Sequence, residues 1–221
     1  MMFLIPLCLV IAGVFLYEEY KQKYVAAVVL KGLASLCFVI LGVSLSPGTH
    51  TANLIVTGLI IGCVADVLLN LRMVFPKIGQ KIFLVGILVF LSGHILYLAA
   101  ILPMCGHVAA ALIAGVILTA LLMILIFKQI TAARAFKIFG VVYLGAIMIL
   151  NCVAVTNLIT MPGAFTALFA AGAVFFLASD IVLILNTFGS ETKQSLRVTN
   201  ISLYYIGQIL IALSLMALGK L

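Results

Sequence analysis

Apolar residues run along this chain in long blocks, broken only by short polar connectors. A helix of about 20 residues spans roughly 30 Å, which matches the hydrocarbon core of a bilayer. The pattern predicts eight transmembrane helices, over Met2–Tyr17, Val25–Leu45, Ala52–Leu71, Ile82–Leu102, Val108–Phe127, Phe136–Asn157, Gly163–Asn186 and Thr199–Leu218. No connector is long enough to fold alone. We therefore expect an all-α, polytopic protein in which residues 1–221 form a single eight-helix transmembrane domain.

Composition places the chain in the same class. Hydrophobic residues make up 67% of it and charged residues only 8%, whereas a soluble domain carries about 25% charged residues. The first span lacks a basic leader and a small-residue cleavage site, and acidic residues follow it, so we expect a retained helix rather than a signal peptide. The five cysteines are scattered without a CxxC pair, which favours free thiols.

Lysine and arginine fall mainly in alternate connectors. The first, third, fifth and seventh connectors hold basic residues, and the second, fourth and sixth hold none. Cytoplasmic loops carry such an excess, so we expect the odd connectors in the cytosol and both termini on the non-cytosolic side. The net charge of +7 then belongs to one membrane face, where it meets anionic membrane lipid. Nucleic-acid binding is not needed to explain it.

Two carboxylates fall inside the predicted spans. Asp66 lies in the third span and Asp180 in the seventh, where a charged side chain costs roughly 2.5–3.5 kcal/mol on insertion scales. Both spans run toward the cytosol in the expected orientation, which places the two residues in the cytosolic half of the membrane. An ionisable residue at such a depth indicates a functional site, so we interpret Asp66 and Asp180 as catalytic or ion-relay residues.

Polar side chains of other spans fall at a similar depth and predict a cavity open to the cytosolic leaflet. Asn70 follows Asp66 by one helical turn and shares its face. Lys31 either lines this cavity or extends to the cytosolic surface, and each tyrosine either lines the cavity or packs. The candidate substrate-binding residues are Lys31, Asn70, Tyr143, Tyr204, Tyr205 and Gln208.

Other catalytic arrangements have weaker support. The three histidines, His50, His94 and His107, form no HxxxH or HExxH pair, and two of them lie in or beside outer connectors. No GxSxG motif is present for a serine nucleophile. We therefore expect neither a metal nor another cofactor.

Five segments together resemble the YhhN family. They are GLIIGCVADVLLN (58–70), GHILYL (93–98), VVYLGAIM (141–148), FFLASDIVLILNTF (175–188) and YYIGQILIA (204–212). The resemblance runs from about residue 28 to 214 and implies a lysoplasmalogenase-like ether hydrolase. Such an enzyme cleaves the vinyl ether bond of a lysophospholipid, giving a fatty aldehyde and glycerophosphoethanolamine or glycerophosphocholine. The resemblance implies Asp66 and Asp180 as the catalytic pair, with Lys31, Tyr204, Tyr205 and Gln208 lining the site.

The chemistry of a vinyl ether suits two carboxyl groups. One protonates the β-carbon and the other stabilises the resulting cation and activates water, as in glycosidases; which aspartate is the acid stays open. A proton-coupled transporter using the same aspartates is the alternative. The echo of VADVLLNL in LASDIVLIL is compatible with a parallel duplication. We expect a multi-pass protein of a bacterial plasma membrane rather than an internal eukaryotic one.

Overall fold

The computed structural model describes residues 1–218, and these form eight α-helices. The predicted all-α class is therefore confirmed. The helices are α1 Leu4–Tyr20, α2 Tyr24–Leu45, α3 His50–Val74, α4 Gly79–Ile101, α5 Val108–Phe127, α6 Arg134–Thr160, α7 Ala164–Phe188 and α8 Gln194–Leu218. All five cysteines are free thiols, as the sequence predicts.

Seven helices of the described chain, α2 to α8, are long and apolar enough to cross a membrane. The protein is therefore an integral, multi-pass membrane protein. The remaining helix, α1, has 17 residues and a length of about 26 Å at 1.5 Å per residue. This is slightly shorter than a hydrocarbon core of roughly 30 Å. A crossing by α1 and the non-cytosolic position of the termini stay predictions.

Several helices extend beyond the predicted spans, and the largest difference at a single helix end is at the start of α8. It begins at Gln194, not at Thr199, because polar side chains end an apolar run without interrupting helical backbone hydrogen bonds. Asn186, near the end of α7, makes hydrogen bonds to the connector that precedes α8. Its Oδ1 accepts a hydrogen bond from Lys193 N at 2.7 Å, and its carbonyl oxygen accepts one from Thr192 Oγ1 at 3.2 Å.

The chain divides into two compact units. The N-terminal unit comprises Met1–Ala100 and the end of α8 from Leu215, and the C-terminal unit comprises Ile101–Ser214. In the N-terminal unit α2 contacts both α1 and α3, and in the C-terminal unit α6 contacts both α5 and α7. The expectation of a single domain over residues 1–221 stays a prediction.

Glycines allow close approach of helices within each unit. A Cβ added to Gly172 on α7 would lie 2.8 Å from the carbonyl oxygen of Gly207 on α8, and one added to Gly207 would lie 2.9 Å from that of Gly172. Gly58 on α3 and Gly93 on α4 face each other similarly, at 3.1 and 3.3 Å. Small residues let the backbones of membrane helices touch in this way.

The fifth and seventh connectors meet at one end of the C-terminal unit. Thr131 N donates a hydrogen bond to Phe188 O at 2.8 Å, and Ile130 pairs with Gly189 in an isolated antiparallel bridge. The two connectors therefore share one side of this unit.

Candidate active site

Asp66 lies at the centre of a buried polar cluster in the N-terminal unit. Asp66 is only 1% exposed. Lys31 Nζ lies 3.1 Å from Asp66 Oδ1, and Ser35 Oγ donates to Asp66 Oδ2 at 2.6 Å. Lys31 and Ser35 are one turn apart on α2 and therefore present their side chains to the same part of α3. Each carboxylate oxygen of Asp66 thus has a donor from α2.

Lys31 is directed at this cluster and not at the membrane surface, since it is only 5% exposed. Its ammonium nitrogen also lies 3.5 Å from Asn70 Oδ1. Asn70 Nδ2 lies in turn 3.5 Å from Glu19 Oε1, at the end of α1. The structure therefore brings the predicted residues Lys31 and Asn70 together with Asp66. A buried ion pair is costly unless further hydrogen bonds satisfy its members, and Ser35 and Asn70 provide them.

Asp180 occupies a different environment in the C-terminal unit. It is 4% exposed, and Tyr143 OH on α6 donates to its Oδ2 at 2.8 Å. Tyr143 is itself 8% exposed. Tyr143 therefore supplies a hydroxyl donor to Asp180, and Lys31 supplies an ammonium to Asp66.

A reciprocal set of hydrogen bonds holds α7 against α8 beside Asp180. Asn200 Nδ2 donates to Ser179 O at 2.9 Å and to Ser179 Oγ at 2.8 Å. Ser179 Oγ donates to Asn200 O at 3.0 Å. Arg197 Nη1 donates to Asn200 Oδ1 at 3.3 Å. Because Ser179 precedes Asp180 directly, this clamp determines how α7 is rotated and where the Asp180 carboxyl group points.

The three predicted residues on α8 are all buried. Gln208 Nε2 donates to Tyr204 OH at 3.3 Å. The ring of Tyr204 packs edge-on against Phe176, with centroids 5.5 Å apart, and against Tyr205 at 5.1 Å. Phe176 lies one turn before Asp180 on α7, so Tyr204 packs against the turn that precedes the carboxylate. Tyr205 is a neighbour of Tyr204 in this aromatic cluster.

His94 is a packed core residue of the N-terminal unit. Its Nδ1 lies 2.8 Å from Phe90 O, and its ring stacks on Phe90 with centroids 5.5 Å apart. Within residues 1–218, no three side chains of His, Cys, Asp or Glu are grouped so that they could hold a metal ion. The groups described in contact with the two aspartates include the ammonium of Lys31 and the hydroxyls of Ser35 and Tyr143.

Two members of the Asp66 cluster, Ser35 and Glu19, were not among the residues predicted to line the site. Ser35 shares the face of Lys31 one turn later, and this spacing was the available signal. Glu19 lies in the last turn of α1, where the helix dipole disfavours a negative charge. An acid at that position needs a compensating partner, and this need was the signal that could have identified Glu19.

One protein family matches most of the chain. Neither a curated protein nor a solved structure matches the chain. The model of the YhhN family matches residues 26–215, a range that contains both aspartates and every predicted site residue. Because this match covers most of the sequence, the chain belongs to the YhhN family.

Proposed function

We propose that this protein hydrolyses the vinyl ether bond of a lysoplasmalogen, releasing a fatty aldehyde and a glycerophosphoethanolamine or glycerophosphocholine. The observation that carries the proposal is the pair of buried aspartates, each in contact with specific donors. The YhhN family, which is associated with lysoplasmalogenase activity, supports the choice of substrate. A membrane-embedded carboxyl pair also suits a substrate whose single chain resides in the bilayer.

The contacts described for the two aspartates suggest their roles. Asp66 is ion-paired with Lys31 and acts in the proposal as the carboxylate that stabilises the cation and activates water. Asp180, which a neutral tyrosine hydroxyl contacts, acts as the general acid. Two carboxyl groups with different environments divide acid and base work in the same way in other enzymes.

The reaction consists of three steps in this proposal. Asp180 gives its proton to the β-carbon of the vinyl ether, and the electron pair of the double bond leaves an oxocarbenium ion at the α-carbon. Water attacks the α-carbon and loses a proton to Asp66. The hemiacetal then collapses: Asp66 gives its proton to the departing glycerol oxygen and the hemiacetal hydroxyl loses its proton to Asp180, so both carboxyl groups return to their starting states. Atoms balance without a cofactor, and one water is consumed.

The substrate would approach from the cytosolic leaflet. The proposed lysophospholipid places its headgroup near the basic connectors and its vinyl ether one glycerol deeper, at the level of the aspartates. The residues proposed to bind the lysophospholipid are Lys31, Asn70, Tyr143, Tyr204, Tyr205 and Gln208. This placement rests on the orientation that the distribution of lysine and arginine predicts.

The test is aldehyde release from lysoplasmalogen by purified protein in detergent, with and without a chelator, beside Asp66→Asn and Asp180→Asn. We expect release that survives chelation and that each variant loses while remaining monodisperse. Full activity in either variant would refute the paired-carboxylate mechanism. No release by monodisperse wild-type protein would refute the hydrolase.

A proton-coupled transporter is the second candidate. Asp66 and Asp180 take the same position in two helices of equal length, and parallel structural repeats occur in transporters. Buried acidic residues and lysines form proton relays in such proteins. Proton uptake into proteoliposomes on addition of a solute, lost in Asp66→Asn, would distinguish this function from hydrolysis.

A further inference from the structure

Glu19 is placed where a carboxylate is electrostatically unfavourable. It lies in the last turn of α1, where the carbonyl ends of the helix present partial negative charge. Its neighbour Glu18 is compensated by Lys23, with Glu18 Oε2 and Lys23 Nζ 3.1 Å apart. Glu19, which is half-buried, is directed instead at Asn70 on α3. Glu19 also precedes residues 26–215, the range that the family model covers.

The contact of Glu19 with Asn70 determines which way the amide of Asn70 points. Asn70 Nδ2 lies 3.5 Å from Glu19 Oε1, and Asn70 Oδ1 lies 3.5 Å from Lys31 Nζ. An amide has donors on one side and an acceptor on the other. An anion on the nitrogen side and a cation on the oxygen side therefore favour the same orientation. With the amide reversed, its NH₂ group would face the ammonium of Lys31.

The amide orientation matters because Lys31 also contacts Asp66. Its Nζ lies 3.1 Å from Asp66 Oδ1, so Asn70 and Asp66 hold the ammonium from two sides. The two contacts of Asn70 are at the long end of hydrogen-bond distance. Catalytic hydrogen bonds are often long without substrate and shorten in the complex. The order Glu19, Asn70, Lys31, Asp66 is thus a continuous chain of alternating acceptors and donors.

We propose that Glu19 is a positioning residue that acts through Asn70 to hold Lys31 against the catalytic carboxylate of Asp66. This inference rests on the proposed role of Asp66 in hydrolysis. Glu19 does not touch the substrate. Its loss lets the amide of Asn70 reverse, releases Lys31 from one of its contacts and weakens the alignment of Asp66 in the transition state.

The test compares Glu19→Ala and Glu19→Gln with Glu18→Ala, which removes the neighbouring acid from the same turn. We expect Glu19→Ala to lower kcat about tenfold with KM within about twofold, since a hydrogen bond that aligns a charged group is lost. Glu19→Gln keeps an acceptor for Asn70 and should retain most of the rate. Glu18→Ala should match the wild type. Should Glu19→Ala not be monodisperse, Glu19→Met preserves the side-chain length without the acceptor.

Two further measurements make the outcome decisive. If Glu19 acts through Asn70, then Glu19→Ala combined with Asn70→Ala is no slower than Asn70→Ala alone. Labelling of Lys31 by an amine-reactive reagent, followed by peptide mass spectrometry, should rise in Glu19→Ala and stay low in Glu19→Gln and Glu18→Ala. Additive losses of rate, or unchanged labelling, would overturn the inference. Labelling does not need turnover, so it tests the positioning of Lys31 independently of hydrolysis. Absence of aldehyde release by the wild type would refute the hydrolase but would leave the labelling result valid.

Discussion

Asp66 and Asp180 occupy the same position in two helices of equal length. Helices α3 and α7 both have 25 residues, and each aspartate lies eight residues before the end of its helix, at Val74 or at Phe188. The buried carboxyl groups therefore have the same depth along their own helices, about 12 Å from the end at 1.5 Å per residue.

The glycine contacts follow the same relationship. The shift in sequence that relates Asp66 to Asp180 also relates Gly58 to Gly172 and Gly93 to Gly207. In each unit the third helix thus meets the fourth at glycines two turns before its aspartate. The two similar sequence segments around Asp66 and Asp180 therefore also pack through equivalent glycines. Lysine and serine contact Asp66, and tyrosine contacts Asp180.

Removal of Lys31 should destabilise the protein strongly. Lys31→Met leaves the buried carboxylate of Asp66 without its ion-pair partner, which typically costs about 3–5 kcal/mol. The double variant Lys31→Met/Asp66→Asn removes both charges and should recover most of the loss. Lys23→Met breaks an exposed pair and should change the free energy of unfolding by roughly 0–1 kcal/mol. Thermal unfolding in detergent measures all three, and equal effects of Lys31→Met and Lys23→Met would contradict the prediction.

Loss of the Tyr143 hydroxyl should slow catalysis without unfolding the protein. Tyr143→Phe keeps the buried ring and removes the donor to Asp180 Oδ2. A misaligned general acid should lower kcat about tenfold. Tyr20→Phe is the control, because Tyr20 is exposed. Steady-state rates of aldehyde release with matched unfolding temperatures would show the effect, and wild-type kcat in Tyr143→Phe would argue against a role for this contact.

Alanine in place of the interhelical glycines should destabilise the protein, whereas alanine in place of an open glycine should not. In Gly172→Ala and Gly207→Ala the new methyl group meets a backbone oxygen within 2.9 Å, which should destabilise the protein by about 1–3 kcal/mol. Gly140 on α6 has no neighbour within 4 Å of an added Cβ. Gly140→Ala should be neutral or stabilise by up to about 1 kcal/mol. Unfolding temperatures compare the three variants, and a tolerated Gly172→Ala would show that α7 and α8 can separate.

Hydrolysis in D₂O should place one solvent deuterium on the carbon next to the aldehyde group. Protonation of the β-carbon forms this bond, so the isotope reports the first step directly. Rapid trapping of the aldehyde followed by mass spectrometry measures it, with unlabelled aldehyde incubated in the same buffer as the control for exchange. A product without deuterium would exclude carbon protonation. Lysolipids with a saturated ether should not be cleaved, because they have no carbon that can accept the proton.

The sequence alone determined the membrane class and the candidate aspartates. Hydropathy averaged over a span reports transfer into the bilayer regardless of how helices pack, and the predicted bounds of α5 are those observed. The proposed functional role of Asp66 and Asp180 rests on the cost of a buried charge. Their depth was also accessible, because position along a helix is a local property.

Only the tertiary structure decided which side chains contact each carboxylate. The pairing of Lys31 and Ser35 with Asp66, and of Tyr143 with Asp180, depends on the rotation of neighbouring helices. Rotation is set by contacts such as those of Gly172 with Gly207, between residues far apart in sequence. Hydropathy does not report it, because lipid-facing and helix-facing positions in a membrane protein are both apolar. For the same reason only the tertiary structure shows that Glu19 on α1 contacts Asn70.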